Sequence, residues 1–221
     1  MTQTTTLIDR IVSELLEQGR DAARRLASDE APALVPVGVS NRHIHLSRPD
    51  MDALFGPGAM LTRMKAMKQP GQYAAAETVI LRGPRGQIGK VRVLGPLRKE
   101  TQIEISRADG YALGVQPPLR MSGQLDGSPG LDIVGPQGTV HKPYGVIIAM
   151  RHIHMSPEDA AKWGLLNGDE VDVIVDGPRG GVMEHVAIRA AEASALEMHI
   201  DIEEANAFGL GNDDLVRIET H

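Results

Sequence analysis

The stretch VGVSNRHIHLSRPD at 37–50 decides how this chain is read, because it returns as VIIAMRHIHMSPED at 146–159, 109 residues later. Two further blocks recur in the same order. GPRGQIGKVRV at 83–93 returns as GPRGGVMEHVAI at 177–188, with one extra residue, and ETQIEISRADGYALG at 100–114 returns as EMHIDIEEANAFGLG at 197–211. Three ordered matches point to duplication of one strand-rich unit, and two similar domains are expected from it.

Within each unit the apolar runs are short, alternating and β-branched: Pro36–His45, Glu77–Arg82, Lys90–Leu94 and Gln102–Ser106, then Val146–His154, Glu170–Val175, Glu184–Arg189 and Met198–Ile202. Gly-Pro and Asn-Gly turns separate many of them. With 24 glycines, 14 prolines and only six aromatic residues, the core must be built from Val, Ile, Leu, Met and Ala. The expected fold is mainly β: two similar closed antiparallel β-barrel domains, because closure removes exposed strand edges. Short capping α-helices should follow each His-Ile-His strand, with Ser47 and Ser156 as N-caps and Pro157 at the first helical position.

Ahead of the repeats, LIDRIVSELLEQGR at 7–20 gathers Leu7, Ile8, Ile11, Val12, Leu15 and Leu16 on one helical face, followed by the linker-like SDEAPALVP at 28–36. The expected organisation is therefore an N-terminal amphipathic helix and linker over 1–34, a first barrel over 35–145 and a second over 146–221, the last residues able to return to the first.

The chain has no cysteine, which excludes disulfide scaffolds, thiolate metal sites and a thiol nucleophile. No apolar run is long enough to span a membrane, and no secretory signal pattern opens the sequence. A cytoplasmic protein is the default expectation. Net charge is −6, which argues against nucleic acid as a partner. The charge is uneven. Residues 60–100 carry nine Lys or Arg against Glu77 and Glu100, whereas residues 151–221 carry five against fifteen acidic ones. A basic segment on an acidic chain suits either an anionic ligand or a solvated face.

Side chains two apart on a strand share a face, so His43 projects with His45 and His152 with His154. Imidazole pairs of this kind suit zinc, and their occurrence at equivalent repeat positions strengthens the reading. The third block adds His199 with Asp201, and its counterpart adds Gln102 with Glu104. His152, His154 and His199 with a carboxylate would complete four-coordination. The alternative is a set of hydrogen-bonded core histidines. Arg98, just ahead of the Glu104 strand, could hold an anion beside a metal. His141, His185 and His221 show no partner pattern.

These residues, in GVSNRHIHLS, QPGQYAAAETV, LGPLRKETQIEISR, PLRMSG, GVIIAMRHIHMSPEDA and LEMHIDIEEANA, resemble the PduL-type phosphotransacylases, the phosphate propanoyltransferases associated with bacterial microcompartments. The resemblance runs from about Val37 to Gly211. It implies two zinc ions per chain: one on His43 and His45, open to coenzyme A sulfur, water or phosphate, and one on His152, His154, His199 and Glu104. It implies Arg98 as the phosphate-binding arginine and Val39, Ser40, Asn41, Gln69 and Asn206 as coenzyme A contacts. The implied reaction joins acyl-CoA and phosphate to give acyl phosphate and CoA, with propanoyl or acetyl as the acyl group. The 7–20 helix would then direct the enzyme to a microcompartment shell protein, and homo-oligomers are a further partner reading. The rivals are a zinc-dependent acyl-CoA hydrolase and a non-catalytic, zinc-stabilised barrel. Direct attack is expected, since no cysteine and no Ser/His/Asp set offers an acyl-enzyme.

Overall fold

The computed structural model describes residues 33–219, together with Val12 and Gly19. Apart from those two residues, the expected 7–20 helix lies outside the described residues. The strands are β1 (Leu34–Ser40), β2 (His43–His45), β3 (Arg63–Ala66), β4 (Tyr73–Arg82), β5 (Gln87–Gly95), β6 (Gln102–Glu104), β7 (Leu119–Arg120), β8 (Leu131–Val134), β9 (Thr139–Lys142), β10 (Val146–Ala149), β11 (His152–Met155), β12 (Glu170–Val175), β13 (Gly181–Ala190), β14 (Glu197–Asp201) and β15 (Leu215–Glu219). Among the described residues, four short helices follow His-bearing or partner strands: α1 (Arg48–Phe55), α2 (Arg107–Leu113), α3 (Pro157–Lys162) and α4 (Ile202–Phe208). None is long and apolar enough to cross a membrane.

The strands form two sheets. One is a closed barrel in the order β1-β14-β11-β13-β12-β15. The other runs β7-β10-β6-β2-β5-β4-β8-β9, with β3 on β4. The protein is mainly β, as expected, but only the first sheet closes; the second is a half-barrel. Nor are the sheets purely antiparallel. β2 runs parallel to β5 and β11 parallel to β13. The reason is connectivity: α1, β3 and β4 intervene between β2 and β5, and α3 and β12 between β11 and β13. Each crossover is long enough to return the chain in the same direction.

The described residues divide into two compact units interleaved along the chain. One takes 33–38, His152–Met198 and 208–219; the other takes Val39–Arg151 and His199–Ala207. In the first, strand alternation is plain: β12 buries Val171, Val173 and Val175, and β15 buries Val216 and Ile218. In the second, Ile44, Leu46, Met51, Leu54, Val91, Val93 and Ile103 form the centre of one apolar cluster. Ile44 is fully buried on β2. Truncating it to alanine should cost about 2–5 kcal/mol, so the strand that presents two histidines is pinned by the residue between them.

Helix starts are set by side chains. Ser47 accepts a hydrogen bond from the Asp50 amide and Ser156 one from the Asp159 amide, with Pro49 and Pro157 in the first turns. Ser106 and Asp109 form a reciprocal capping box at α2. On β5, Gly95 lies flat against Tyr73; a Cβ there would sit 2.2 Å from the ring. That close approach lets the chain turn directly from β5 into the loop that bears Arg98.

Candidate active site

β2 and β6 are antiparallel neighbours in a register that sets His43 opposite Glu104 and His45 opposite Gln102. All six residues of these two strands are buried. His43 Nε2 is 3.3 Å from Glu104 Oε2, and His45 Nε2 is 3.9 Å from Oε1. The two imidazoles meet edge-on, 5.2 Å between centroids. Their ligand atoms and that of Glu104 lie within 4.8 Å of one another.

The tautomers follow from the neighbours. His43 Nδ1 donates to the Asn41 carbonyl at 2.8 Å, which leaves the Nε2 lone pair aimed at a carboxylate oxygen. Two acceptors at 3.3 Å require a proton or a cation between them. A backbone carbonyl on the far nitrogen is also how a metal-binding imidazole is oriented. His45 Nδ1 is buried with no hydrogen bond of good geometry, its proton offered toward the Leu94 carbonyl. This donor set of two imidazoles and a carboxylate fits zinc without rearrangement.

Electrostatics reinforce the same arrangement. Burial opposes a charge on His43, but Glu104 outweighs it and leaves the imidazole's pKa raised. His45 is pushed down to about 3, first by burial and then by the charges of His43 and Arg98, so it stays neutral. Burial would raise the Glu104 pKa. His43, His45 and Arg98 together hold it well below the usual carboxylate range. Arg98 thus acts within electrostatic reach of all three. Its own position is fixed from both ends: the backbone amide donates to the Leu46 carbonyl at 2.9 Å, and Nη1 donates to Ser122 Oγ at 2.9 Å.

Glu104 lies with His43 and His45; the resemblance implies it for the second histidine set. That second set sits in the barrel. His152 and His154 share a face of β11, Nε2 to Nε2 at 3.1 Å, and His199 is carried by β14, the next strand of the same barrel. Two ring nitrogens so close must share a proton or converge on a cation.

Ser40 and Asn41 line a pocket together with His43 and Glu104, whose other walls include Ile105, Ala149 and Ile202. Val39 precedes them on β1. Gln69 is buried in the turn between β3 and β4, and Asn206 is exposed on α4; neither is among the residues lining that pocket. His141 and His185, which show no pattern in the sequence, each pair with an exposed carboxylate, Asp132 and Glu170.

The sequence pattern did not reveal three supporting groups. Arg42 grips Asp109 through both Nε and Nη2, at 2.8 and 2.7 Å, anchoring the entry to β2 on α2. At the entry to β11, Arg151 reaches Glu204 Oε1 through one nitrogen, Nη1, at 3.3 Å. Ser122 lies within the PLRMSG motif and accepts hydrogen bonds from both Arg98 and Gln102. The recurring Arg before each His-Ile-His was the available signal for the first two; a lone Ser-Gly offers none.

The chain matches the family described as phosphate propanoyltransferase over residues 36–211. It is 73% identical over 213 residues to the phosphate propanoyltransferase of Rhodobacter capsulatus, covering 96% of this chain and 97% of that one. It is 66% identical over 216 residues to that of Rhodopseudomonas palustris, with 96% of each chain covered. It is 50% identical over 200 residues to that of Salmonella typhimurium, covering 90% and 93%. A match of that extent, carrying both histidine-bearing strands and the Arg98 loop, leaves one reading of kinship: the chain belongs to the phosphate propanoyltransferase family, the PduL-type phosphotransacylases, and is an acyltransferase.

Proposed function

We propose that this acyltransferase interconverts propanoyl-CoA plus phosphate with propanoyl phosphate plus CoA, with acetyl-CoA as a second substrate, by direct attack of phosphate on the thioester. The observation that carries the reading is the meeting of His43, His45 and Glu104 within electrostatic reach of Arg98. The family match supports the phosphate and the acyl group.

Two zinc ions are proposed, one held by His43 and His45 with Glu104 and one by His152, His154 and His199. When bound, they would supply Lewis acidity toward the thioester oxygen and the departing thiolate. The chain's own residues do the rest. Arg98, its guanidinium held by Ser122, orients phosphate through charge-assisted hydrogen bonds. The Asn41 carbonyl and the Arg42–Asp109 pair hold His43 in one tautomer and one rotamer. Val39, Ser40 and Asn41 are proposed CoA contacts, supported by the place of the latter two in the pocket wall; Gln69 and Asn206 are proposed on the resemblance alone.

The three recurring sequence blocks support duplication of an ancestral unit, and the matching parallel pairs β2–β5 and β11–β13 support it further. Location inside a bacterial microcompartment, with 7–20 as the helix that meets a shell protein, rests on the family resemblance and the amphipathic pattern.

The test is thiol release from propanoyl-CoA and acetyl-CoA, with and without phosphate, on protein of measured metal content. Release that requires phosphate, with about two zinc per chain, is expected. Release that is indifferent to phosphate would transfer the assignment to a hydrolase.

A further inference from the structure

The two residues directly after His45 hold the Arg98 loop at both of its ends. The Leu46 carbonyl accepts from the Arg98 amide at 2.9 Å, and the Ser47 amide donates to Thr101 Oγ1 at 2.9 Å. Thr101 is buried and closes the loop immediately ahead of β6. Its oxygen accepts from the Ser47 amide, so its hydroxyl proton goes to the ionised Asp50 carboxylate, which can only accept. The same oxygen, Oδ2, accepts from Lys142 Nζ at the end of β9 at 3.0 Å, and the Asp50 amide donates to Ser47 Oγ at 3.3 Å. One carboxylate, its side chain 13% exposed, thus joins the start of α1, the end of the Arg98 loop and the edge strand of the sheet. Such a shielded ion pair adds little net stability over apolar packing, so its presence beside this loop calls for another reason.

The barrel copy of the motif supplies the contrast. There the Ala191 amide donates to the Met155 carbonyl at 3.1 Å, as Arg98 does to Leu46. Ala191 therefore stands where Arg98 stands. In the recurring blocks Met198 takes the place of Thr101, and Asp159 that of Asp50. Met198 has no hydroxyl, and Asp159 turns back to Ser156 Oγ of its own helix at 2.9 Å. The hydroxyl and the outward-turned carboxylate accompany the arginine, and both are missing where alanine replaces it. We infer that Thr101 and Asp50 are positioning residues for the phosphate step: through the Thr101 hydroxyl they key the Arg98 loop to the chain just beyond His45, and so fix where the guanidinium meets phosphate. This inference rests on the phosphate-transfer reading above. Both residues act through Arg98 rather than on the phosphate itself, and a group misplaced by about 1 Å can lose about a hundredfold in rate.

The test is a double-mutant cycle in the full, zinc-loaded chain. Thr101→Val should raise the phosphate KM about tenfold, the scale of one lost buried hydrogen bond. The KM for propanoyl-CoA should stay within about twofold, with zinc content unchanged. Thr101→Ser, which keeps the hydroxyl, should restore most of the phosphate affinity, and Asp50→Ala should move the phosphate KM in the same direction as Thr101→Val. In an Arg98→Ala background, Thr101→Val should change the phosphate KM by less than about twofold, because the group it positions is gone. Equal losses in the two backgrounds, or a serine variant no better than valine, would overturn the inference and leave Thr101 a structural residue. Should Thr101→Val not fold, Asp50→Ala takes its place in the same cycle. Binding of inorganic phosphate alone, followed by calorimetry, separates this inference from the catalytic reading. If the wild type shows no phosphate-dependent thiol release, that reading fails; this inference fails if wild type and Thr101→Val bind phosphate equally.

Discussion

β2 and β11 carry the same tripeptide, His-Ile-His, yet the two strands face different company. Across from β2 stand Glu104 and Gln102, a carboxylate and an amide; at the equivalent positions of the later block stand Asp201 and His199. The fate of the two carboxylates differs for a local reason. Asp201 is spent on its own helix: Oδ1 accepts from the Glu203 and Glu204 amides, both at 2.8 Å, and Glu204 returns a bond to the Asp201 amide. In the earlier block Ser106, two residues further on, performs the capping. Glu104 is thereby released to face His43. Moving a helix cap by two positions turns one copy of a motif into a three-imidazole set and leaves the other with two imidazoles, a carboxylate and a neighbouring arginine.

The sharpest way to break this contrast is to remove one imidazole from each set. His43→Ala should reduce phosphate-dependent turnover by about 10²–10³-fold, the scale of losing a preorganised electrostatic group. Metal analysis should find about one zinc per chain gone, and His154→Ala should remove the other. If each variant retained the full metal complement, neither set would be a metal site. Next in size is Arg98→Ala, with the phosphate KM rising about 10–100-fold as a charge-assisted bidentate contact is lost and zinc content unchanged; unaltered phosphate saturation would take Arg98 out of the site.

Gln102→His makes β6 resemble β14. It should lower turnover about tenfold, as outer-shell changes at metal sites do, while zinc is retained more firmly against chelator. A variant as active as wild type would mean that the amide-for-imidazole exchange does not matter. Asp201→Ala tests the cap itself, costing about 1 kcal/mol and lowering the melting temperature by about 2–4 °C in a thermal scan; no change would mean the cap is not what occupies Asp201.

The smallest effect concerns Asp50 and its counterpart Asp159. Burial raises the pKa of Asp50, but bonds from Thr101 and Lys142 bring it below its ordinary value; Asp159 instead takes the hydroxyl of its own N-cap, Ser156. A depressed carboxylate contributes stability that is present above the unfolded pKa, near 4, and is lost as pH falls through the folded value. Asp50→Asn should flatten that acid limb in denaturant titrations at pH 2–5 (a range set by the same reference value); an unchanged limb would mean that Asp50 does not set it.

Much of this was legible in the sequence. The period-two runs and the repeated blocks gave the class and most strands, and Ser47, Ser156 and Pro157 fell where caps were expected. What could not be read was partnership between distant strands. Nothing in HIH or in KVRV says that β2 will lie parallel to β5, so closure of both sheets was over-extended from turn spacing alone. β8 and β9 are absent from the expected runs for a different reason: LDIV and TVHK are short and bounded by glycine and proline. Glu104 could be singled out from its repeat position, but its companions depend on register, which a one-residue slip would have changed completely. Ser122 depends on three residues converging from separate segments and leaves no trace in local pattern.

The first and last described strands also lie side by side: β1 pairs with β15, Leu34 opposite Arg217, and β15 lies between β1 and β12 at the closing seam of the barrel. During synthesis the barrel therefore stays an open ribbon until its final strand has left the ribosome. Such contacts, far apart along the chain, fold slowly, and the histidines of β11 are presented on an unfinished sheet until the seam closes. Metal offered during synthesis would meet scattered imidazoles; metal offered after release would meet an assembled barrel. If the barrel histidines hold zinc as proposed, the timing of its delivery relative to chain release is a variable that refolding and co-expression experiments can control.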